Sequence, residues 1–262
     1  MLDALRYEWT RLNTLRSTYW LIGIGLLCAA ALPTIFGLAD GGETPLAPED
    51  IAVGINGGAS FGIPFLAVFM AIIGIFATGH EYRHGTIQPT LTAVPQRNRL
   101  ILAKILVASA VTAVVTVVSM AINAGIMLAF WGEVPGLFED PVGSSLLGYL
   151  VYTEIYMLVG MGLGLLFRGV PSAIVVIFLM PLIIENVIAG LSVIPALDWL
   201  VPAIKFLPFT AGMMLMSIGG LEMGPGAPEY DFFGRWGSGA VFATFAALIF
   251  AAAWTLFKKR DA

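Results

Sequence analysis

Charged residues are scarce in this sequence. Only 11% of its 262 residues are charged, whereas 58% are hydrophobic, and the mean hydropathy is +0.90. A water-soluble domain carries about a quarter of its residues as charged side chains. The long apolar runs, separated by short polar stretches, exclude a soluble globular fold and indicate that lipid is the solvent for most of the surface.

Cysteine and lysine are also rare. Cys28 is the only cysteine, which excludes an intramolecular disulfide and a cysteine-based metal cluster. An ATPase of the Walker type needs a lysine directly after a glycine-rich loop, in the pattern G-x-x-x-x-G-K-[ST]. None of the four lysines follows such a loop: Lys104, Lys205, Lys258 and Lys259. We therefore expect no ATP-hydrolysing site, no other enzyme activity, no cofactor and no nucleic-acid partner for this chain.

Six apolar runs approach the length of about 20 residues that a helix needs to cross the hydrocarbon core. They are residues 19–38, 61–78, 101–130, 146–167, 173–194 and 240–257. A seventh run, 199–216, is interrupted by Pro202, Lys205 and Pro208. The sequence thus predicts an all-α membrane protein in which residues 1–262 form one transmembrane domain. Within it, the outer segment 195–236 contains a re-entrant or surface-lying helical hairpin; the alternative is a seventh span.

The first 18 residues precede the first apolar run and have a pattern of their own. Leu2, Leu5, Trp9 and Leu12 fall at helical spacing, with arginines between them. This pattern predicts an amphipathic helix over residues 1–18 that lies in the membrane interface. A basic anchor that only orients the first span is the alternative.

The basic residues are distributed unevenly between the two ends of the predicted spans. Eleven of the 13 fall on one side, here called the basic face: Arg6, Arg11, Arg16, Arg83, Arg97, Arg99, Lys104, Arg168, Lys258, Lys259 and Arg260. Lys205 and Arg235 alone lie at the other end, the acidic face, together with Asp40, Glu43, Glu49, Asp50, Glu133, Glu139, Asp140, Asp198, Glu222, Glu229 and Asp231. Lys and Arg accumulate in cytoplasmic loops, so both termini are predicted to be cytoplasmic.

The only two histidines stand in the run His80-Glu81-Tyr82-Arg83-His84, which fits the zinc-protease pattern H-E-x-x-H. An intramembrane zinc protease using His80, Glu81 and His84 is therefore one hypothesis. A third ligand is required at the same level, but Glu154, Glu185 and Asp198 are predicted nearer the opposite face. Gly85 follows at once, where a helix tends to stop. We therefore expect no metal site here.

The same stretch also resembles a known family. The run 79–87, GHEYRHGTI, followed by 91–97, LTAVPQR, is similar to the first cytoplasmic loop of bacterial ABC-2-type transporter permease subunits, with an actinobacterial character. The layout of the whole chain is similar as well: an N-terminal interfacial helix, six spans, and an outer segment before the last span. The specific residues lie only within about residues 81–99.

This resemblance implies a membrane-spanning permease subunit in the bacterial cytoplasmic membrane. Its loop 80–100 would couple the chain to two cytoplasmic ATPase subunits, which carry ATP and Mg, and a second permease, identical or homologous, would complete the transporter. Export of a drug-like, peptide or lipid-like substrate is implied. The coupling residues would be Glu81, Tyr82, Arg83, His84, Gly85, Thr86, Pro95, Arg97 and Arg99. A solvated loop that contacts only lipid headgroups is the alternative.

Four polar residues interrupt the apolar runs: Asn123, Glu154, Glu185 and Asn186. Counted from the acidic face, their depths are similar, so they are predicted to form one polar layer. Intramembrane acids usually face a protein interior or a wet cavity. The layer is either a hydrogen-bonded structural network or a site for a proton or a cationic substrate. A proton-coupled secondary transporter is therefore a further hypothesis, although no convincing internal repeat accompanies it.

Aromatic and small residues give two weaker patterns. Phe61, Phe65, Phe69 and Phe76 lie roughly on one helical face and could line a translocation path; contact with lipid or core packing is the alternative. The pairs Gly160 with Gly164 and Gly58 with Gly62 have the small-xxx-small spacing of close helix contacts.

Overall fold

The structure, a computed structural model, describes residues 1–62, 64–83, 85, 97–219 and 230–259, without the side chains of Phe61, Arg83, Arg97, Lys258 and Lys259. All regular elements in these ranges are helical. The α-helices are α1 Leu2–Thr14, α2 Arg16–Asp40, α3 Pro48–Ile55, α4 Phe65–Arg83, α5 Arg97–Trp131, α6 Val142–Phe167, α7 Val170–Leu179, α8 Asn186–Ser192, α9 Val201–Ile204, α10 Pro208–Met213 and α11 Gly234–Lys259. A π-helical segment, Met180–Glu185, joins α7 to α8, and 3₁₀ turns cover Ala59–Phe61 and Pro195–Leu200.

Six helices in the described ranges are long and apolar enough to cross a membrane: α2, α4, α5, α6, the continuous α7–π–α8 unit, and α11. The prediction of an all-α, multi-pass membrane protein is confirmed. Most of these helices are longer than the apolar runs, because polar residues such as Arg16 and Asn98 extend them at their ends. The second span begins later than predicted. Phe61, its predicted first residue, lies in a 3₁₀ turn, and α4 begins at Phe65.

Helices α4 and α6 form the centre of the bundle and approach each other very closely. A Cβ atom at Gly160 would collide with the carbonyl of Ala71, and one at Gly164 with the hydroxyl of Thr78. The Thr78 hydroxyl donates to the Met161 carbonyl at 3.0 Å. The prediction that Gly160 and Gly164 mediate close helix packing is confirmed. Gly58 instead occupies a left-handed turn beside Leu32.

The contacts at the two ends of the bundle show that successive long helices run in opposite directions, as predicted. Gly79 at the end of α4 lies against Val170 at the start of α7. Ile101 of α5 and Phe257 of α11 share one apolar cluster at that end. At the opposite end, Ile51 of α3 packs with Met127 and Val142. The basic and acidic faces therefore lie at opposite ends of the helices.

The broken apolar run 199–216 forms short helices rather than a span, which confirms the predicted hairpin. Helix α10 inserts into the bundle, where Phe209 packs against Tyr156 and Phe242. The chain after α10 is held by the Arg235 guanidinium, which donates to the Leu215 carbonyl at 2.8 Å and the Ser217 carbonyl at 3.2 Å. Prolines at 195, 202 and 208 start the short helices and prevent a continuous one.

Candidate functional site

A cluster of four charged residues is buried at the basic face. It consists of Glu8 and Arg11 from α1, Glu81 from α4 and Lys104 from α5. Glu8, Glu81 and Lys104 are 1%, 2% and 3% exposed. Two acids and two bases balance in charge, which is the condition under which burial is tolerated. We call this group the charge cluster.

Short ion pairs connect the three helices within the charge cluster. The Lys104 ammonium lies 2.7 Å from a Glu8 oxygen and 2.5 Å from a Glu81 oxygen. The Arg11 guanidinium lies 2.7 Å from the same Glu81 oxygen and 3.5 Å from Glu8. Both ends of the segment between α4 and α5 are therefore fixed to each other and to α1.

Arg11 also binds the backbone of α4. Its guanidinium donates to the carbonyls of Phe76 at 3.3 Å and Ala77 at 3.1 Å. A cation near the C-terminal part of a helix is favoured by the helix dipole. Burial raises the pKa of the Glu8 carboxyl, and Glu81 adds to this, while Lys104 and Arg11 oppose it. Burial has the larger effect, so the pKa of the Glu8 carboxyl lies above its usual value despite the two basic partners.

Helix α1 faces the bundle with Ala4, Glu8 and Leu12, three residues spaced one turn apart. Leu2 and Trp9 point away and are 77% and 55% exposed. The predicted helix is present, with Leu12 against the bundle and with Leu2 and Trp9 exposed. The charge cluster draws Glu8 inward, which leaves Leu2 and Trp9 on the outer side of α1.

The structure places the predicted coupling residues in different settings. Glu81 and Tyr82 are engaged within the chain: Glu81 is in the charge cluster, and the Arg168 guanidinium lies 5.3 Å from the centre of the Tyr82 ring. Gly85 has a positive φ of 64° just beyond the end of α4, so the predicted helix stop is confirmed. Arg99 is exposed near the start of α5. Outside the described residues or side chains lie Arg83, His84, Thr86, Pro95 and Arg97.

The placement of Glu81 corrects its expected role. A carboxylate that is 2% exposed and already bonded to Lys104 and Arg11 is not available to pair with a charge on a partner protein. It is also not free to act as the base of a zinc protease. His80 stacks on Phe76 with ring centres 4.1 Å apart, and His84 lies outside the described residues.

A large cavity lies in the half of the bundle near the acidic face. Its volume is about 960 Å³, and its wall combines α3, α4, α6, the π segment, α8 and α10. Phe65 and Phe69 of the predicted path-lining residues contribute to it. Phe76 packs instead toward His80, and the side chain of Phe61 lies outside the described residues. Two of the four predicted path-lining residues, Phe65 and Phe69, therefore border the cavity.

Glu185 lies at the end of the π segment and binds α10. Its carboxylate accepts from the backbone N–H groups of Phe209 at 2.9 Å and Thr210 at 2.7 Å, and from the Thr210 hydroxyl at 2.7 Å. The first N–H groups of a helix have no partner within the helix, so Glu185 supplies them from another element. The side chain is 2% exposed and fixes α10 within the bundle.

The four residues of the predicted polar layer have different neighbours in the structure. The Asn123 amide donates to the Ile55 carbonyl of α3 at 2.9 Å, and the Asn186 amide donates to the Pro181 carbonyl of its own helix at 2.7 Å. Glu154 lies beside the Ser109 hydroxyl of α5. Because α6 begins at Val142, Glu154 lies about 18 Å along it, whereas Asn123 is about 12 Å from the nearer end of α5.

Sequence reasoning missed Glu8 and Lys104 as site residues. Both carry a signal in retrospect: Glu8 replaces an apolar residue in the i, i+4 series from Ala4 to Leu12, and Lys104 stands inside an apolar run. Each needs an opposite charge once buried. Pairing them required the position of α1 against α5, which the sequence pattern leaves open.

Residues 43–262 match the family DUF2705, which is described as proteins of unknown function. The match covers most of the sequence, and the chain therefore belongs to this family. It includes the cavity, Glu81 and Lys104, but not α1, which supplies Glu8 and Arg11. No curated protein matches the chain.

Proposed function

We propose that this protein is the membrane-spanning permease subunit of an ATP-driven transporter of the ABC-2 type. Two separate cytoplasmic ATPase subunits would bind its basic face, and a second permease, identical or homologous, would complete the complex. The observation that carries this proposal is the charge cluster, which brackets the segment resembling an ABC-2 coupling loop. A force applied to that segment is transmitted through Glu81 and Lys104 to α4, α5 and α1 together.

Two further features support an energy source outside the chain. The sequence lacks a Walker lysine, so hydrolysis requires another subunit. The cavity lies near the acidic face, the end away from the proposed docking segment. An ATP-driven movement at the basic face would therefore reach the cavity through the long helices α4 and α6. Export from the cytoplasm is the direction that this arrangement and the family resemblance favour.

The proposed orientation places both termini in the bacterial cytoplasm and is tested by cysteine labelling. In a Cys28→Ala background, Glu43→Cys is expected to react with an impermeant maleimide added to intact cells. Asn98→Cys is expected to react only after the membrane is opened, because the basic face is cytoplasmic. Both positions are exposed, so accessibility alone does not separate them. Labelling of Asn98→Cys in intact cells would contradict the orientation.

Arg99 is the described residue best placed to contact an ATPase subunit, because it is charged, exposed and next to the proposed docking segment. Arg99→Glu is expected to reduce the ATPase activity that purifies with the tagged chain by about tenfold, since reversing a charge in an interface costs on the order of 1–2 kcal/mol. The thermal stability of the variant should be unchanged.

Arg16→Glu is the matched control, because Arg16 is an exposed arginine of the basic face at the start of α2. It should retain the associated ATPase activity. Equal loss in both variants would point to a general effect of surface charge, and retention in both would remove Arg99 from the interface.

A further inference from the structure

The cavity at the acidic face combines an aromatic wall with carboxylates. Six aromatic residues line it: Phe65, Phe69, Tyr152, Tyr156, Phe178 and Phe209. Glu49, Asp50 and Glu185 also belong to its lining. A volume of about 960 Å³ is within the range of sites for drug-sized ligands. The lining therefore suits a molecule with a large apolar body and a positive charge.

Positive side chains are missing from this wall. Among the described lining residues none is lysine, arginine or histidine. The two basic residues of the acidic face are engaged elsewhere: the Lys205 ammonium lies 4.8 Å from the centre of the Phe233 ring, and Arg235 binds the Leu215 and Ser217 carbonyls. Among the part of the chain that the structure describes, no basic side chain lines the cavity beside these carboxylates.

The carboxylates stand at two levels of the cavity. Glu49 and Asp50 are exposed in the first turn of α3, whereas Glu185 is buried beside α10. Glu185 accepts three hydrogen bonds, and a carboxylate offers about four acceptor positions. An organic cation is attracted by such acids and by the faces of aromatic rings, whereas an anion is repelled by the acids.

We propose that this cavity binds a hydrophobic organic cation, with its charge near Glu49 and Asp50 and its apolar body against the aromatic wall. That the bound molecule is also the transported one rests on the proposed function; the binding itself does not. Binding is therefore measured on the full chain in nanodiscs, without ATP and without any ATPase subunit. Failure of binding would contradict only the cation site and not the ATPase partnership. Absence of an ATPase partner would likewise not contradict cation binding.

The probe is radiolabelled tetraphenylphosphonium, and tetraphenylborate is its control because it carries the same four phenyl rings with the opposite charge. We expect saturable binding of the cation at a single site per chain, with binding of the anion at least about tenfold weaker. Glu49→Gln should weaken binding of the cation about fivefold, because one exposed charge is removed. Phe69→Ala should weaken it about tenfold through loss of aromatic contact.

Glu139→Gln is the control for the general negative charge of the acidic face, because Glu139 is exposed and outside the cavity. It should bind the cation as the unchanged protein does. Equal affinity for both ions, non-saturable uptake into the lipid of the nanodisc, or equal weakening by Glu49→Gln and Glu139→Gln would each overturn the proposal. Glu49 is exposed and polar, so its substitution leaves the fold intact and keeps the test decisive.

Discussion

Replacing Lys104 with methionine is expected to lower the free energy of unfolding by about 3–5 kcal/mol. The change leaves Glu8 and Glu81 buried with only Arg11 to balance them, so one negative charge remains uncompensated. The methionine side chain offers no positive charge or strong hydrogen-bond donor, so it does not offset the desolvation of that carboxylate. SDS-induced unfolding in mixed micelles measures this loss.

Two variants separate the buried charge from a general effect at the basic face. Arg6→Gln removes an exposed charge from α1 and should change the free energy of unfolding by less than about 0.5 kcal/mol. Glu8→Gln combined with Lys104→Met leaves Arg11 paired with Glu81 and should recover part of the loss. A double variant that loses the sum of the two single effects would show that these residues are not coupled.

Replacing Glu185 with leucine is expected to destabilise the protein by roughly 2–4 kcal/mol. The N–H groups of Phe209 and Thr210 and the Thr210 hydroxyl would then lose their acceptor inside the bundle. The effect should be largest in the hairpin, since Glu185 holds α10 in place. Faster tryptic cleavage at Lys205, next to α10, would report this detachment.

Asn186→Ala serves as the control for Glu185 because its amide is exposed and donates only to carbonyls of its own helix. It should cleave at the rate of the unchanged protein. Glu185→Gln keeps one acceptor oxygen, so its stability and its rate of tryptic cleavage should lie between those of Glu185→Leu and Asn186→Ala. If Glu185→Leu matched Asn186→Ala in stability and cleavage, α10 would not depend on this carboxylate.

Hydropathy predicted the number and approximate position of the spans because burying an apolar helix in lipid depends on local composition. It placed the helix ends less well. Arg16 and Asn98 belong to helices although they are polar, since a helix continues beyond the hydrocarbon layer. Helix α6, for example, begins at Val142, four residues before the predicted span.

The site depended on geometry that the pattern of one sequence does not contain. Met180–Glu185 adopts a π-helical register, and Pro181 within it has no N–H to donate. Asn186 binds the Pro181 carbonyl, and Glu185 reaches α10 rather than a layer shared with Asn123. Likewise, Glu81 stands in the predicted coupling loop, yet it is buried because α1 folds over α4 and α5.

The most direct test of the proposed function is a cross-link from the basic face of the protein in its native membrane. Benzoylphenylalanine at Asn98, which is exposed at the start of α5, is predicted to cross-link a subunit that contains a Walker motif and hydrolyses ATP. The same probe at Phe138, which is 89% exposed at the acidic face, should not cross-link that subunit. Cross-links from Asn98 only to lipid or to copies of this chain would contradict an ATP-driven permease.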